Sequence, residues 1–201
     1  KREKRSVKNE MQKRDMKAIT LYIIMACWAL CAQTGRAGDV VVGAAMPECY
    51  MKHLKGRRVA LFSNQTGMVS DRHTLDILLG NGVDVVTIFS PEHGFRGQAD
   101  AGEKVGSSVD GKTGVPIYSL YGAKGGVPDE ATMRKIDLVV TDIQDVGLRY
   151  YTYYITMVKL MDQCARHDKR MVILDRPNPN GFYVDGPILD MKYKSGVGAL
   201  P

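Results

Sequence analysis

Phe89-Ser90-Pro91-Glu92-His93-Gly94-Phe95-Arg96-Gly97 decides the fold, because the apolar run from Val83 to Phe89 ends abruptly at a carboxylate beside an imidazole. It is the exit of a buried strand into a loop. Pro91 has no N–H for a sheet ladder and biases Ser90 toward extended geometry, while Gly94 and Gly97 admit φ values that other residues avoid. The loop can therefore re-aim its side chains, and Glu92 and His93 are the first candidates for chemistry. A lone Glu-His pair on a turn is more often solvated than functional, so the weight falls on what the other strands deliver.

Working outward, strand-like and helix-like segments alternate from Arg57 onward. This pattern predicts an α/β fold, a Rossmann-like open sheet, mainly parallel, with helices on both faces. Strands are expected to start near Arg58, Val83, Val115, Leu138 and Arg170. Pro116 near the start of the third marks an edge or a strand entry. Helices are expected over 74–79, over 129–135, and from about Tyr154 to His167, the last with Ile155, Val158, Leu160, Met161 and Cys164 on its inner face. Asn64-Gln65, Glu92-His93, Asp142 with Asp145, and Asp175-Arg176 each follow the carboxyl end of one of these strands. In an open doubly wound sheet those ends share one edge, where ligands bind. Four strands depositing polar residues on one edge predict a common site.

Composition bounds the function classes. A 201-residue chain with 44% hydrophobic residues can bury one good core. Its net charge of +6 resides in residues 1–37, which hold nine Lys/Arg and three Asp/Glu, leaving 19 basic and 19 acidic residues in the rest. A nucleic-acid partner is therefore not expected. Lys13, Arg14 and Lys17 precede the apolar run Ala18 to Ala32 and a polar stretch ending at Gly35-Arg36-Ala37, the pattern of an export signal. The run falls short of the roughly 20 residues of a membrane span, so no stable span is expected. The expected organisation is a leader over 1–37, a lead-in over 38–55 and one domain over 56–201. The mature protein is expected outside the cytoplasm, periplasmic or extracellular, with lipoprotein anchoring at Cys27 the lesser alternative. Cys49 and Cys164 show no disulfide or zinc spacing, and Cys164 falls in a helical pattern as a small buried hydrophobe. Asp100, Glu103 and Asp110, in the long stretch 94–114, match no calcium loop.

At the shared edge the carboxylates permit acid/base work on a polar substrate, Arg149 can pair with a carboxylate, and tyrosines such as Tyr151 can stack against a sugar face. Glycoside cleavage needs an acid for the leaving oxygen and usually a second carboxylate; Glu92 with Asp142 or Asp145 offers that pair. A metal-dependent hydrolase using His93, Glu92, Asp142 and Asp145 stays open, although a single histidine weakens zinc. A non-catalytic glycan-binding module is the third reading. No cofactor is expected.

Taken together, Ser63-Asn64-Gln65-Thr66-Gly67, the 90–97 loop, Tyr118-Ser119-Leu120-Tyr121-Gly122, Asp142-Ile143-Gln144-Asp145-Val146-Gly147 with Arg149-Tyr150-Tyr151-Thr152-Tyr153, and Asp175-Arg176-Pro177-Asn178-Pro179 resemble one family. It is that of the exo-β-N-acetylmuramidases of glycoside hydrolase family 171, formerly a domain-of-unknown-function family, and the resemblance spans about Gly56 to Pro201. It implies a Rossmann-like domain followed by a carboxyl-terminal auxiliary domain, absent from this sequence, which is expected to be an amino-terminal fragment. It also implies removal of non-reducing-end N-acetylmuramic acid from peptidoglycan-derived saccharides. Glu92 matches the family's glutamate and is the expected catalytic residue, with Asp142 and Asp145 beside it. Asn64, Gln65, His93, Arg149, Tyr151, Asp175 and Arg176 are the expected substrate-binding residues.

Overall fold

The computed structural model describes residues 40–97, 106–121 and 123–200. The export signal expected at 1–37, and Asp100 and Glu103, lie outside the described residues. Contacts divide the chain into two units, Lys1–Val40 and Val41–Pro201, and every element below belongs to the second. Among the described residues no helix is long and apolar enough to cross a membrane.

In chain order the elements are α1 (Pro47–Leu54), β1 (Arg58–Ser63), β2 (Met68–Val69), β3 (Arg72–His73), α2 (Thr74–Gly80), β4 (Asp84–Ser90), β5 (Ser108–Val109), β6 (Pro116–Ser119), α3 (Glu130–Arg134), β7 (Leu138–Asp142), α4 (Tyr153–Arg166) and β8 (Arg170–Ile173). The main sheet runs β5-β6-β4-β1-β7-β8, and β2 with β3 forms a separate hairpin. The five expected strands are all parallel to one another. To them the structure adds β5, an antiparallel strand that takes the edge beside β6. Pro116 is therefore at a strand entry, not on an edge: as the first residue of β6 it sits where its missing N–H is tolerated.

Alternation along the strands builds two cores, one on each face. Val59 and Leu61 of β1 pack with Tyr50 and Leu54 of α1 and Leu75 and Leu78 of α2. Ala60 and Phe62 point the other way, onto Met133 of α3 and Leu160 and Cys164 of α4. Successive strand residues face opposite sides, so both faces need helices to cover them. Burial among these side chains pushes the Cys164 thiol up to about 11, which keeps it inert. On α4 the inner face is narrower than the sequence pattern predicts: Ile155, Leu160 and Cys164 are buried, whereas Val158 and Met161 face outward.

At the amino ends of β1 and β7, opposite the site edge, Arg58 grips Asp137 twice, Nε donating at 3.2 Å and Nη2 at 2.7 Å, and its backbone N–H donates at 2.8 Å. Those hydrogen bonds hold the Asp137 carboxyl down at about 2 from an ordinary 3.8. A depressed folded-state pKa adds stability above the unfolded value that is lost as pH falls through the folded one. Asp137→Asn should therefore lose part of the stability difference that wild type shows between pH 4 and pH 2, measured by urea unfolding. An unchanged acid limb would remove Asp137 as a contributor.

Candidate active site

The strand order reverses between β1 and β7, so the chain leaves these two strands in opposite directions and opens a crevice at their carboxyl ends. Ser63 pairs with Asp142 in register there, and the loop after β4 stands alongside. The loops after β1, β4, β7 and β8 all leave the sheet at this edge.

The 90–97 loop is held by what surrounds Glu92. His93 and Gly94 both adopt left-handed backbone, at φ 69° and 73°; for a histidine this is an uncommon conformation that packing must enforce. The double reversal sends Phe95 back into the core, 3% exposed, edge-on to His73 at 4.9 Å. Arg96 then clamps Asp110 with two hydrogen bonds of 2.9 Å, from Nε and Nη2. Gly97, at φ 68°, has Gln65 packed so closely that a Cβ would lie 2.5 Å from its amide carbon. Glu92 is thus mounted on a turn anchored at both sides.

Its carboxylate meets the start of α4. Thr152 occupies the N-cap of that helix yet makes no side-chain cap hydrogen bond. Its hydroxyl donates instead to Glu92 Oε2 at 3.2 Å. A capping threonine usually satisfies the helix's own N–H groups, so here the hydroxyl is committed to the site. Next to it Tyr151 and Tyr153 meet edge to face at 4.9 Å. Burial first, then the Tyr151 neighbour, pushes the Tyr153 hydroxyl up to about 12, with Glu92 adding in the same direction. Tyr153 therefore remains a proton-bearing donor beside Glu92 at any physiological pH.

Asn64 connects this group to the crevice. Its Oδ1 accepts from the Thr66 N–H at 2.9 Å and from the Thr66 hydroxyl at 2.6 Å, an Asx turn. Its carbonyl accepts from His73 Nε2 at 2.8 Å, and His73 Nδ1 accepts from the Leu75 N–H at 3.0 Å, an arrangement that fixes the tautomer. Burial lowers the His73 pKa and keeps the ring neutral. Asn64 Nδ2 is buried without a partner at full hydrogen-bond geometry, although the amide is close enough to the Tyr153 hydroxyl to lower its pKa slightly.

Asp142 is fully buried and both its oxygens are engaged. Arg176, its side chain 7% exposed, donates from Nε to Oδ1 at 2.6 Å and from Nη2 to Oδ2 at 3.0 Å. The Thr74 hydroxyl donates to Oδ2 as well. Arg176 Nη2 also donates to the Met68 carbonyl at 2.9 Å, tying the loop after β8 to the β2–β3 hairpin. Asp145 differs: Oδ1 accepts from the Gly147 N–H at 2.9 Å, while Oδ2 is buried with no protein partner. Gly147, at φ 70°, lies against Asn178, whose Nδ2 would be 2.4 Å from a Cβ.

The remaining expected residues are more peripheral. Gln65, Arg149 and Asp175 are exposed and Tyr151 is half-buried. Arg149 donates to the Pro187 carbonyl, and the Asp175 carbonyl accepts from the Gly43 N–H at 2.7 Å. Among the described residues no three His, Cys, Asp or Glu side chains converge as metal ligands. Beside Glu92 a cavity of about 220 Å³ opens, lined also by Tyr121, Thr152, Ile155, Thr156 and Lys159. The sequence carries Thr152 and Tyr153 in the Arg149–Tyr153 motif without a role for either, and gives His73 and Lys159 no signal of their own. A threonine followed by a helical pattern two residues after Tyr150 was the available signal for the first; the others depend on tertiary packing.

A family model described as "Exo-beta-N-acetylmuramidase NamZ, N-terminal" matches residues 59–201. A curated relative, the peptidoglycan beta-N-acetylmuramidase NamZ of Bacillus subtilis (strain 168), is 43% identical over 174 residues, covering 84% of this chain and 42% of its own. A solved DUF1343 family protein from Bacteroides fragilis is 60% identical, with a TM-score of 0.72 over 82% of this chain and 42% of its own. A second from the same organism is 37% identical, with a TM-score of 0.70 over 79% and 40%. The chain spans less than half the length of these relatives.

Proposed function

The chain belongs to the exo-β-N-acetylmuramidase family described by its amino-terminal model, and from that premise we propose that it supplies the acid-bearing half of a glycosidase that releases N-acetylmuramic acid from the non-reducing end of peptidoglycan fragments. The observation that carries this is the mounting of Glu92: a carboxylate on a doubly anchored turn, held by the Thr152 hydroxyl, beside the protonated Tyr153, at the mouth of a cavity sized for about one sugar ring. Small-molecule sites commonly run from roughly 300 to 1,000 Å³, so this one suits a terminal residue better than a glycan chain.

In this reading Glu92 transfers its proton to the glycosidic oxygen as the bond to the anomeric carbon breaks. That carbon takes the hydroxyl of a water, directly or after an intermediate on the second carboxylate, with the water's proton returned to a carboxylate. Asp145, with one oxygen uncommitted, suits the second carboxylate better than Asp142, whose oxygens are taken by Arg176 and Thr74. Arg176 is committed in turn and suits positioning better than substrate contact, while Tyr121 and Thr152 line the cavity that would take the ring. The export signal expected over 1–37 would carry the protein to this substrate.

The full-length protein should release free N-acetylmuramic acid from the disaccharide in which that sugar is β-linked to N-acetylglucosamine, detected by mass spectrometry, at a rate unaffected by chelators. Loss of activity on chelation, reversed by a divalent metal, would favour the metal-hydrolase alternative. Binding without release would favour the glycan-binding module.

A further inference from the structure

Thr152, Ile155, Thr156 and Lys159 are spaced i, i+3, i+4 and i+7, which places all four on one face of α4. All four line the cavity beside Glu92. Thr152 holds Glu92 at one end of this strip. At 1.5 Å per residue Lys159 stands roughly 10 Å further along the axis, on the second turn. Lys159 is exposed, and its ammonium lies beside Gly126 in the cavity lining, where a Cβ would meet Nζ at 3.4 Å. Gly126, at φ 69°, is a left-handed position. Among the described residues no carboxylate pairs with Lys159. Of the cavity's lining residues Glu92 and Lys159 are charged; the others are apolar, glycine or hydroxyl-bearing.

An acid at one end and a cation at the other match a substrate that is scissile at one point and anionic at another. N-acetylmuramic acid is such a ring: it differs from N-acetylglucosamine by a lactyl ether that ends in a carboxylate, a short arm away from the anomeric centre. We propose that Lys159 is a specificity-determining residue that pairs with this lactyl carboxylate when the glycosidic oxygen lies at Glu92. The proposal rests on the glycosidase reading above. An ion pair supported by hydrogen bonds in a partly enclosed site gives roughly a tenfold or greater preference for the acid over a neutral analogue.

Calorimetry on the full-length Glu92→Gln protein, in which the glycosidase reading expects binding without turnover, tests it with two probes: the methyl β-glycoside of N-acetylmuramic acid and the same glycoside with its lactyl group as carboxamide. The carboxylate form should bind about tenfold tighter or more. Adding Lys159→Met should erase that preference, and adding Lys159→Arg should retain most of it. A preference unchanged by Lys159→Met overturns the proposal, and so does an equal loss of affinity for both probes in a folded variant, since a structural role would not separate them. Wild-type turnover distinguishes the two levels. A protein that shows the preference but releases no sugar keeps the Lys159 assignment and loses the glycosidase; one that releases sugar without the preference does the reverse.

Discussion

Replacing Glu92 with glutamine should reduce release of N-acetylmuramic acid from the natural disaccharide by about a hundred- to ten-thousand-fold, the usual contribution of a positioned acid or base. The fold should be unaffected. The amide keeps the shape of the carboxylate, its oxygen still accepts from Thr152, and the anchors of the loop, Phe95 under His73 and Arg96 on Asp110, are untouched. What the amide cannot do is move a proton. Rate and melting temperature are therefore expected to separate cleanly. Aryl glycosides resolve the role further: a good leaving group needs little protonation, so the defect should shrink on such a substrate if Glu92 is the acid. If it persists undiminished, Glu92 is the nucleophile or the base that activates water. Full activity of Glu92→Gln on the disaccharide would end the assignment, and a loss under tenfold would shift attention to Asp145.

The part of this site that was legible in the sequence is the part written in strand exits. An apolar run that stops at Pro91-Glu92 announces both a strand and the place where its side chains turn outward, and four such exits on a parallel sheet must share an edge. The elements that were missed are short or locally unremarkable. β5 is two residues long and has no period to read. The β2–β3 hairpin is equally short, and α1 hides in a lead-in where Pro47 at its first turn is the one clear signal. Val158 and Met161 match the helical period of α4 but face outward, because the sheet covers a narrower strip of that helix than hydrophobicity alone implies.

Side-chain roles were less legible than positions, since a role depends on partners far apart in the chain. Asp142 and Arg176 were both visible at strand exits, as an acid and a substrate contact. Only the topology shows that β7 and β8 are adjacent and parallel, which brings those exits together and joins the two residues to each other. Arg96, two residues after Gly94 in the same loop, serves as the clamp on Asp110. Thr152 had the opposite history. It sits where a helix cap belongs, and its function emerges only because it does not cap.

The Asp142–Arg176 pair therefore decides between two accounts of the crevice, and stability separates them. If the pair is structural, Arg176→Met leaves a fully buried carboxylate with the Thr74 hydroxyl as its remaining side-chain partner. Breaking a buried pair from one side typically costs about 3–5 kcal/mol. For a domain of this size, about 2–4 °C per kcal/mol makes the expected loss in melting temperature roughly 10 °C. The Arg176 hydrogen bond to the Met68 carbonyl is lost too, so the β2–β3 hairpin should loosen first, visible as faster amide exchange near Met68. Replacing both partners, Asp142→Leu with Arg176→Met, removes the uncompensated charge and should recover much of the loss, as apolar pairs commonly do in place of buried ion pairs. If instead Arg176 held substrate, Arg176→Met would melt close to wild type while the KM for the disaccharide rose. That outcome would return Arg176 to the role its place after β8 first indicated, and would leave Asp142 as an acid whose partner is the sugar.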